Sequence, residues 1–384
     1  MRLLVFGGSF DPPHRGHAAL LASAARHISP DLILIIPAYQ APLKSLPGAS
    51  AEERLAMVRL GLLPSLPPPW RRRTRIETLE VRSRRRVYTV DTLRRLVALH
   101  PKAELHFALG SDEAAAFDSW KDQRQLKALC FWWVAPRPGT RGRPPAFFKR
   151  LSGPMPEISS TRLRRAIALG EEVSAWVGTA VASYIERRGL YGRALLRELR
   201  TLLPPERLRH TLAVARLAER LAERWGLDPQ KARWAGLLHD LGRSIPVGRM
   251  AKEARQRRLS VPGSKAIARH QPLLFHAYLS ADLARRRSGL RDPQILAAIR
   301  DHTLGRSGMG PLGRLLYVAD ACSEDRAYPG AASLRRLAFQ DLTEAFRACV
   351  RAKTQHAFSL GSWIHPLTIS LWNSLQEPSA SSGP

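Results

Sequence analysis

Two sets of residues in this sequence have the types and spacing to do chemistry. The first lies in "GGSFDPPHRGH", Gly7 to His17, directly behind the apolar run "RLLVF". Glycines leaving a strand let the backbone approach a ligand where a Cβ would clash, so Gly7 and Gly8 make room for a nucleotide. His14 and His17 stand three apart at the start of the helical pattern "HAALLASAARH". That spacing puts both imidazoles on one face beside a helix N-terminus, where backbone N–H groups and the helix dipole favour phosphate. Donors held there stabilise the charge that develops during phosphoryl or nucleotidyl transfer. In "ISSTRLR", Ser159, Ser160 and Thr161 are N-cap types that open a second anion-binding helix start.

The second set lies far downstream, where ionisable residues occupy positions that helical periodicity reserves for apolar ones. His210 aligns with Val214, Leu217 and Leu221 at offsets of four, seven and eleven, which turns it inward. His239 follows Ala235, His276 precedes Leu279 and Leu283, His302 follows Ile295 and Ile299, and Asp320 follows Leu316 on stripes of the same kind. One inward histidine is ordinarily a satisfied core residue. Four of them, with Asp240 and Asp320, carry a desolvation cost that bound metal relieves. Imidazole and carboxylate ligands without thiolate suit iron, manganese, zinc or magnesium.

Around the first set, "VYTVDTL", "GSDEAAAFDSW", "PRPG", "ISSTRLR" and "YIERRGLY" follow one another along the chain. These segments resemble, in order, those of bacterial nicotinate mononucleotide adenylyltransferases, and "GGSFDPPHRGH" resembles the signature of the wider group of nucleotidyltransferases with an H-x-G-H motif. The resemblance covers the first half of the chain. It implies that the phosphate of nicotinate mononucleotide attacks the α-phosphorus of Mg2+-bound ATP in line and that pyrophosphate leaves. Catalysis is then positioning plus charge stabilisation, with no protein nucleophile. By the same resemblance His14 and His17 contact the ATP phosphates, His17 at the transferring α-phosphate, while Lys44 and Arg164 add cationic charge. Asp112 is implied on the ribose and Trp120 on the pyridine ring. Gly7, Gly8, Ser9, Phe10, Thr89, Gly110, Arg137, Ile158, Ser159, Ser160 and Thr161 are implied to complete the substrate sites. One departure stands out: the usual Pro-Pro-His before the basic residue reads "APLKS" here, with Leu43 ahead of Lys44.

In the second set, "LLHDLGR" carries a His-Asp doublet, and "PLLFHAYLSADLA", "AIRDHTLG" and "YVADACSEDR" follow it. From about Leu208 to Leu371 the chain resembles the HD-superfamily symmetrical bis(5'-nucleosyl)-tetraphosphatases. The resemblance implies one metal on His210, His239, Asp240 and Asp320, and a second on His276 and His302 bridged by Asp240, with iron or manganese as the metals. The implied reaction is attack of metal-activated water on a phosphorus of diadenosine tetraphosphate, giving two ADP. Arg243 and Arg326 are placed to neutralise the polyphosphate. Arg243 stands where that family generally has Lys, so a bidentate fork replaces a point charge.

These residues need two kinds of scaffold. "RLLVF", "LILIIP", "AELHFALG" and "FWWVAP" read as buried strands that alternate with helical segments up to about residue 190, which implies a parallel sheet with crossover helices. From Leu195 to about Gln376 the pattern is helical, and Pro204-Pro205 breaks helix from helix near the boundary. The expected fold is an α/β Rossmann-like nucleotidyltransferase domain over residues 1–192, then an all-α HD-domain helical bundle over 193–376. The Pro/Ser-rich stretch 377–384 is expected to be a disordered tail.

A chain of 384 residues has room for two such cores. The apolar run "LILII" is far shorter than the roughly 20 residues that span a bilayer, and no export signal is legible. Cys130, Cys322 and Cys349 are too few and scattered for a disulfide framework. A cytoplasmic enzyme with no membrane partner is expected. The net charge of +29 is densest from Trp70 to Arg86 but recurs on every helical segment. It reads as an arginine-rich solvated surface whose field suits polyanionic substrates such as ATP, with no specific nucleic-acid partner. A homo-oligomer is compatible with the sequence.

Overall fold

The computed structural model describes residues 1–40, 48–136 and 144–376. Leu43, Lys44, Arg137 and the tail 377–384 lie outside the described residues. The chain forms two compact units, Met1–Ala194 and Leu195–Pro384.

The first unit is built on a six-stranded sheet of order β3-β2-β1-β4-β5-β6, with every pairing parallel. The strands are β1 (Arg2–Gly8), β2 (Leu32–Pro37), β3 (Thr74–Ile76), β4 (Glu104–Gly110), β5 (Phe131–Ala135) and β6 (Lys149–Arg150). Leu3, Val5, Ile36 and Phe107 pack on one face, and Leu4, Phe6, Ile33 and Ile35 on the other. Burial on both faces is why these strands read as unbroken apolar runs rather than alternating ones. The edge strands β3 and β6 escape the sequence reading because they are three and two residues long and rich in Arg and Lys. Short charged edges of this kind discourage pairing with another chain.

Helices α1 (Arg15–Ile28), α2 (Ala51–Met57), α3 (Leu79–Ser83), α4 (Thr89–Leu99), α5 (Ser160–Ala168) and α6 (Thr179–Arg188) belong to this unit. Strand order reverses between β2-β1 and β4-β5, so the carboxyl ends of β1 and β4 flank the crevice where such sheets take ligands. Gly7-Gly8 and Gly110 sit at those two ends.

In the second unit the described residues form no strands. Its main helices are α7 (Pro205–Trp225), α8 (Pro229–Leu238), α9 (Phe275–Arg287), α10 (Pro293–Asp301), α11 (Pro311–Cys322) and α12 (Leu342–Ser359). Asp228 and Asp292 cap α8 and α10 through their carboxylates, each followed by a proline at the first helical position. Helix α8 lies so close to α7 that a Cβ at Gly236 would sit 2.5 Å from the Ala215 Cα. Backbone cannot yield as a flexible side chain does, so Gly236→Ala should cost roughly 1–3 kcal/mol by overpacking. A lower urea midpoint by circular dichroism is the expected result; an unchanged midpoint would mean that the two helices separate freely.

Candidate active sites

Strand β1 ends in Gly7-Gly8, and both glycines face aromatic rings. A Cβ on Gly7 would meet Phe107 Cζ at 3.1 Å, and one on Gly8 would meet the Phe10 ring at 3.1 Å. Gly7, Gly8 and Ser9 also line a cavity of about 360 Å3 together with Thr89, Asp112 and Trp120. Phe10 is fully buried with a left-handed backbone (φ 50°), and its ring packs against His17 at 5.2 Å between centroids. It is a packing residue of the loop rather than part of the cavity wall. Gly110 closes β4 beside Asp112, where a Cβ would sit 2.6 Å from Asp112 Oδ1.

His14 is the N-cap of α1, and His17 is its third helical residue. The His14 backbone N–H donates to His17 Nδ1 at 3.2 Å, and the two rings lie 3.8 Å apart. With Nδ1 accepting, the proton of His17 resides on Nε2. Gly16 is required between the histidines, since a Cβ there would sit 3.0 Å from the His14 ring and 3.2 Å from Ile158 Cγ2. Ile158 is accordingly a buried wall behind the pair. Ser159 caps α5 by accepting from the Arg162 N–H, whereas the Ser160 hydroxyl donates to the Pro12 carbonyl at 3.0 Å. Arg164 donates to the Asp11 carbonyl at 2.8 Å and to Thr161 Oγ1 at 3.2 Å. The structure thus brings α5 onto the histidine loop, and Asp112, Trp120 and Thr89 onto the cavity.

The second constellation is assembled from helix ends. His239 and Asp240 directly follow α8, and His302 directly follows α10. The Nδ1 atoms of His239, His276 and His302 donate to the carbonyls of Gly236, Leu273 and Ile299 at 2.7, 2.7 and 2.6 Å. For His239 and His302 these are carbonyls that a helix end leaves without partners. A carbonyl only accepts, so each Nδ1 carries the proton and each Nε2 presents a lone pair. His210 is oriented differently, by the Asp325 carboxylate 2.8 Å from its Nδ1.

All six residues read from the sequence meet. The ligating atoms of His210, His239 and Asp320 lie within 4.8 Å of one another, as do those of His239, Asp240 and His302. His276 Nε2 is 3.3 Å from Asp240 Oδ1 and 3.2 Å from His302 Nε2. Four cations surround the two carboxylates. Arg207 and Arg243 lie 3.0 and 3.5 Å from Asp240, and Arg326 and Lys353 lie 2.8 and 3.5 Å from Asp320.

The Cytidylyltransferase-like family matches residues 5–166, and the HD domain family matches residues 207–325. A Mycoplasma genitalium protein whose name joins nicotinate-nucleotide adenylyltransferase to Ap4A hydrolase is 26% identical over 337 residues, covering 85% of this chain and 88% of that protein. A nicotinate-nucleotide adenylyltransferase of Chromobacterium violaceum is 38% identical over 215 residues, 50% of this chain and 98% of its own length. The symmetrical bis(5'-nucleosyl)-tetraphosphatase of Bacillus subtilis is 38% identical over 143 residues, 37% of this chain and 75% of its own length. The chain belongs to both families, one in each half.

The buried residues of the HD half fit a divalent metal. His239 Nε2 is buried without a hydrogen-bond partner, an expense that an absent ligand explains. Burial lowers the pKa of His239 and pushes that of His302 well below the ordinary histidine value, which keeps both imidazoles neutral as metal ligands require. Burial acts to raise Asp240 and Asp320, but it is outweighed, for Asp320 chiefly by Lys353. Both carboxyls are held well below the usual range.

Sequence reasoning missed Arg207, Asp325, Lys353 and Glu80. Arg207 lies one turn before His210 on α7, and Asp325 adjoins Arg326, so proximity was the available signal; Lys353 carried none. Glu80, on α3, lines the first cavity, and the Thr92 hydroxyl donates to it at 2.7 Å. Burial pushes its carboxyl up from 4.5 to about 7, partly opposed by that hydrogen bond. A raised folded-state pKa means that stability is fully present below the ordinary value of 4.5 and is lost as pH rises through about 7. Glu80→Gln keeps the acceptor and removes the titration. The variant should therefore melt higher relative to the parent at pH 8 than at pH 5, and an equal difference at both pH values would count against this environment for Glu80.

Proposed function

We propose that the chain is a bifunctional enzyme of the cytoplasm. Its first half transfers the adenylyl group of ATP to nicotinate mononucleotide, giving deamido-NAD and pyrophosphate. Its second half hydrolyses diadenosine tetraphosphate symmetrically to two ADP. The observation that supports the reading is that each half holds a constellation of its own: paired imidazoles at the start of α1 in the half that holds a cavity of about 360 Å3, and four imidazoles with two carboxylates in the helical bundle. The domains correspond to residues 1–192 and 193–376. Among the described residues no helix is long and apolar enough to cross a membrane.

In the first half, His17 Nε2–H and His14 receive the phosphates of Mg2+-bound ATP, and the start of α1 adds its backbone dipole. Trp120 and Asp112 hold the pyridine mononucleotide across the cavity with its phosphate toward the histidines. Ser9, Thr89 and Gly110 shape the same pocket, while Arg164, Lys44 and Arg137 supply positive charge. The protein's contribution is orientation and charge stabilisation, since the attacking oxygen belongs to the substrate.

In the second half, His210, His239, Asp240 and Asp320 would hold one divalent metal and His276, His302 and Asp240 a second, iron or manganese being the metals that the family resemblance implies. Such a metal supplies Lewis-acid activation of water and of the phosphoryl group. The residues fix Nε2 lone pairs toward that centre through their Nδ1 hydrogen bonds. Arg207, Arg243 and Arg326 are positioned to exchange their carboxylate contacts for polyphosphate oxygens once metal charge offsets the two aspartates.

Two substitutions separate the activities. His17→Ala should lower pyrophosphate release by about 100-fold or more, in the range of a lost charge-stabilising donor, and spare tetraphosphate hydrolysis. His239→Ala should abolish hydrolysis and reduce bound metal, measured by elemental analysis, and spare adenylyl transfer. Near-normal transfer by His17→Ala would refute its role. Loss of both activities in His239→Ala would assign that histidine to folding.

A further inference from the structure

The histidine loop carries an acid for which the transfer chemistry has no use. Asp11 is 5% exposed, and its carboxylate is held from two sides: the Gly48 N–H donates to Oδ2 at 2.9 Å and the Tyr191 hydroxyl donates to Oδ1 at 2.8 Å. The Arg164 guanidinium, which donates to the Asp11 carbonyl, is also 3.7 Å from Oδ2. Tyr191 comes 180 residues later in the chain, is itself buried, and takes a left-handed backbone (φ 55°) to present its hydroxyl. Burial, reinforced by the charge of Asp11, raises its pKa far above the ordinary tyrosine value. The phenol is therefore a permanent donor.

Two residues before Asp11, the loop is held again. Arg54 on α2 is 1% exposed, and among the described residues no carboxylate hydrogen-bonds to its guanidinium. It donates instead to four carbonyls: Ser9 at 2.6 Å, Ala38 at 2.7 Å, Tyr39 at 2.6 Å and Ala49 at 3.3 Å. Burying a whole guanidinium to gather carbonyls is costly unless the gathered segments must stay in register. Those segments are the exits of β1 and β2 and the turn that leads into α2, and Ser9 and Ala38 line the cavity itself. From Ser9 to Pro12 the loop is thus fixed at the Ser9 carbonyl, the Asp11 carboxylate, the Asp11 carbonyl and the Pro12 carbonyl. Two residues later it delivers His14.

We infer that Tyr191 and Arg54 are positioning residues of the adenylyl-transfer site, Tyr191 acting through the Asp11 carboxylate and Arg54 through the Ser9 carbonyl to set where His14 and His17 stand. This rests on the adenylyl-transfer reading of the first half. Neither side chain touches substrate. Tyr191→Phe retains the ring in its apolar surroundings but removes one donor from a buried carboxylate, which then gains most by swinging toward Arg164. The loop and its histidines shift with it. Displacements of about 1 Å at a phosphoryl-transfer centre can cost on the order of 100-fold in rate while leaving ground-state binding intact.

The test uses the full chain, with steady-state pyrophosphate release measured for the parent, Tyr191→Phe, Asp11→Ala, the double variant and Arg54→Lys, and a melting curve for each. The expected result for Tyr191→Phe and Arg54→Lys is a kcat lowered by about 10-fold or more, with KM for both substrates within about 2-fold of the parent. In the Asp11→Ala background Tyr191→Phe should cost little further, because the hydroxyl has lost the partner through which it acts. A lowered melting temperature with kcat unchanged, or a raised KM with kcat unchanged, would overturn the inference. So would full additivity of the two substitutions. A parent that releases no pyrophosphate overturns the transfer reading and this inference with it, an outcome distinct from an active parent whose kcat ignores Tyr191.

Discussion

A carboxylate almost without access to water sets the terms for the helical half of this protein. Asp240 is 2% exposed, and a buried carboxylate is tolerable only when paired and hydrogen-bonded. Its partners come from everywhere around it: Arg207 from α7, His239 and Arg243 from the segment after α8, His276 from α9, and His302 from the end of α10. Helix α11 adds Asp320, which His210 of α7 meets at 3.1 Å. With Lys353 of α12 beside Asp320, six helices are thus committed to one cluster. The bundle can close on it only because Gly242 lets the backbone in, since a Cβ there would lie 2.3 Å from the His276 carbonyl oxygen. Packing and chemistry share the same constraint.

The sheet half meets the opposite demand. Under the adenylyl-transfer reading its site receives negative charge, at the start of α1 with His14 and His17 and beside Arg164 of α5. Here the scaffold's task is to keep a loop rigid at the carboxyl end of β1. The loop obtains that rigidity from hydrogen bonds to its carbonyls and to one internal acid rather than from apolar packing alone. Phe10 supplies the packing, fully buried between Gly8 and His17.

Legibility in the sequence followed burial. Strands β1, β2, β4 and β5 were readable because parallel strands covered on both faces become apolar runs, and β3 and β6 were not because short edges are polar. Five of the six metal-type residues were readable because each interrupts an apolar stripe at helical spacing, and Asp240 because it completes the His-Asp doublet. Arg243 and Arg326 were read beside them, but Arg207 and Lys353 were not, since these look like any residue on the solvated side of a helix. Contacts across long sequence separation were equally hidden, as with the Tyr191 hydroxyl and Asp11. Phe10, which the resemblance implies among the substrate contacts, is fully buried against His17, because a motif reports that a position is constrained without saying by what. Ser160 likewise read as a cap but ties α5 to Pro12.

The central claim is that the buried imidazole and carboxylate cluster makes the second half a hydrolase that cleaves its substrate symmetrically. The most direct measurement is chromatographic analysis of the products formed when the purified chain, loaded anaerobically with iron or manganese, is incubated with diadenosine tetraphosphate. ADP as the sole product is the predicted result. AMP together with ATP, or no product from protein that has bound its metal, would contradict it.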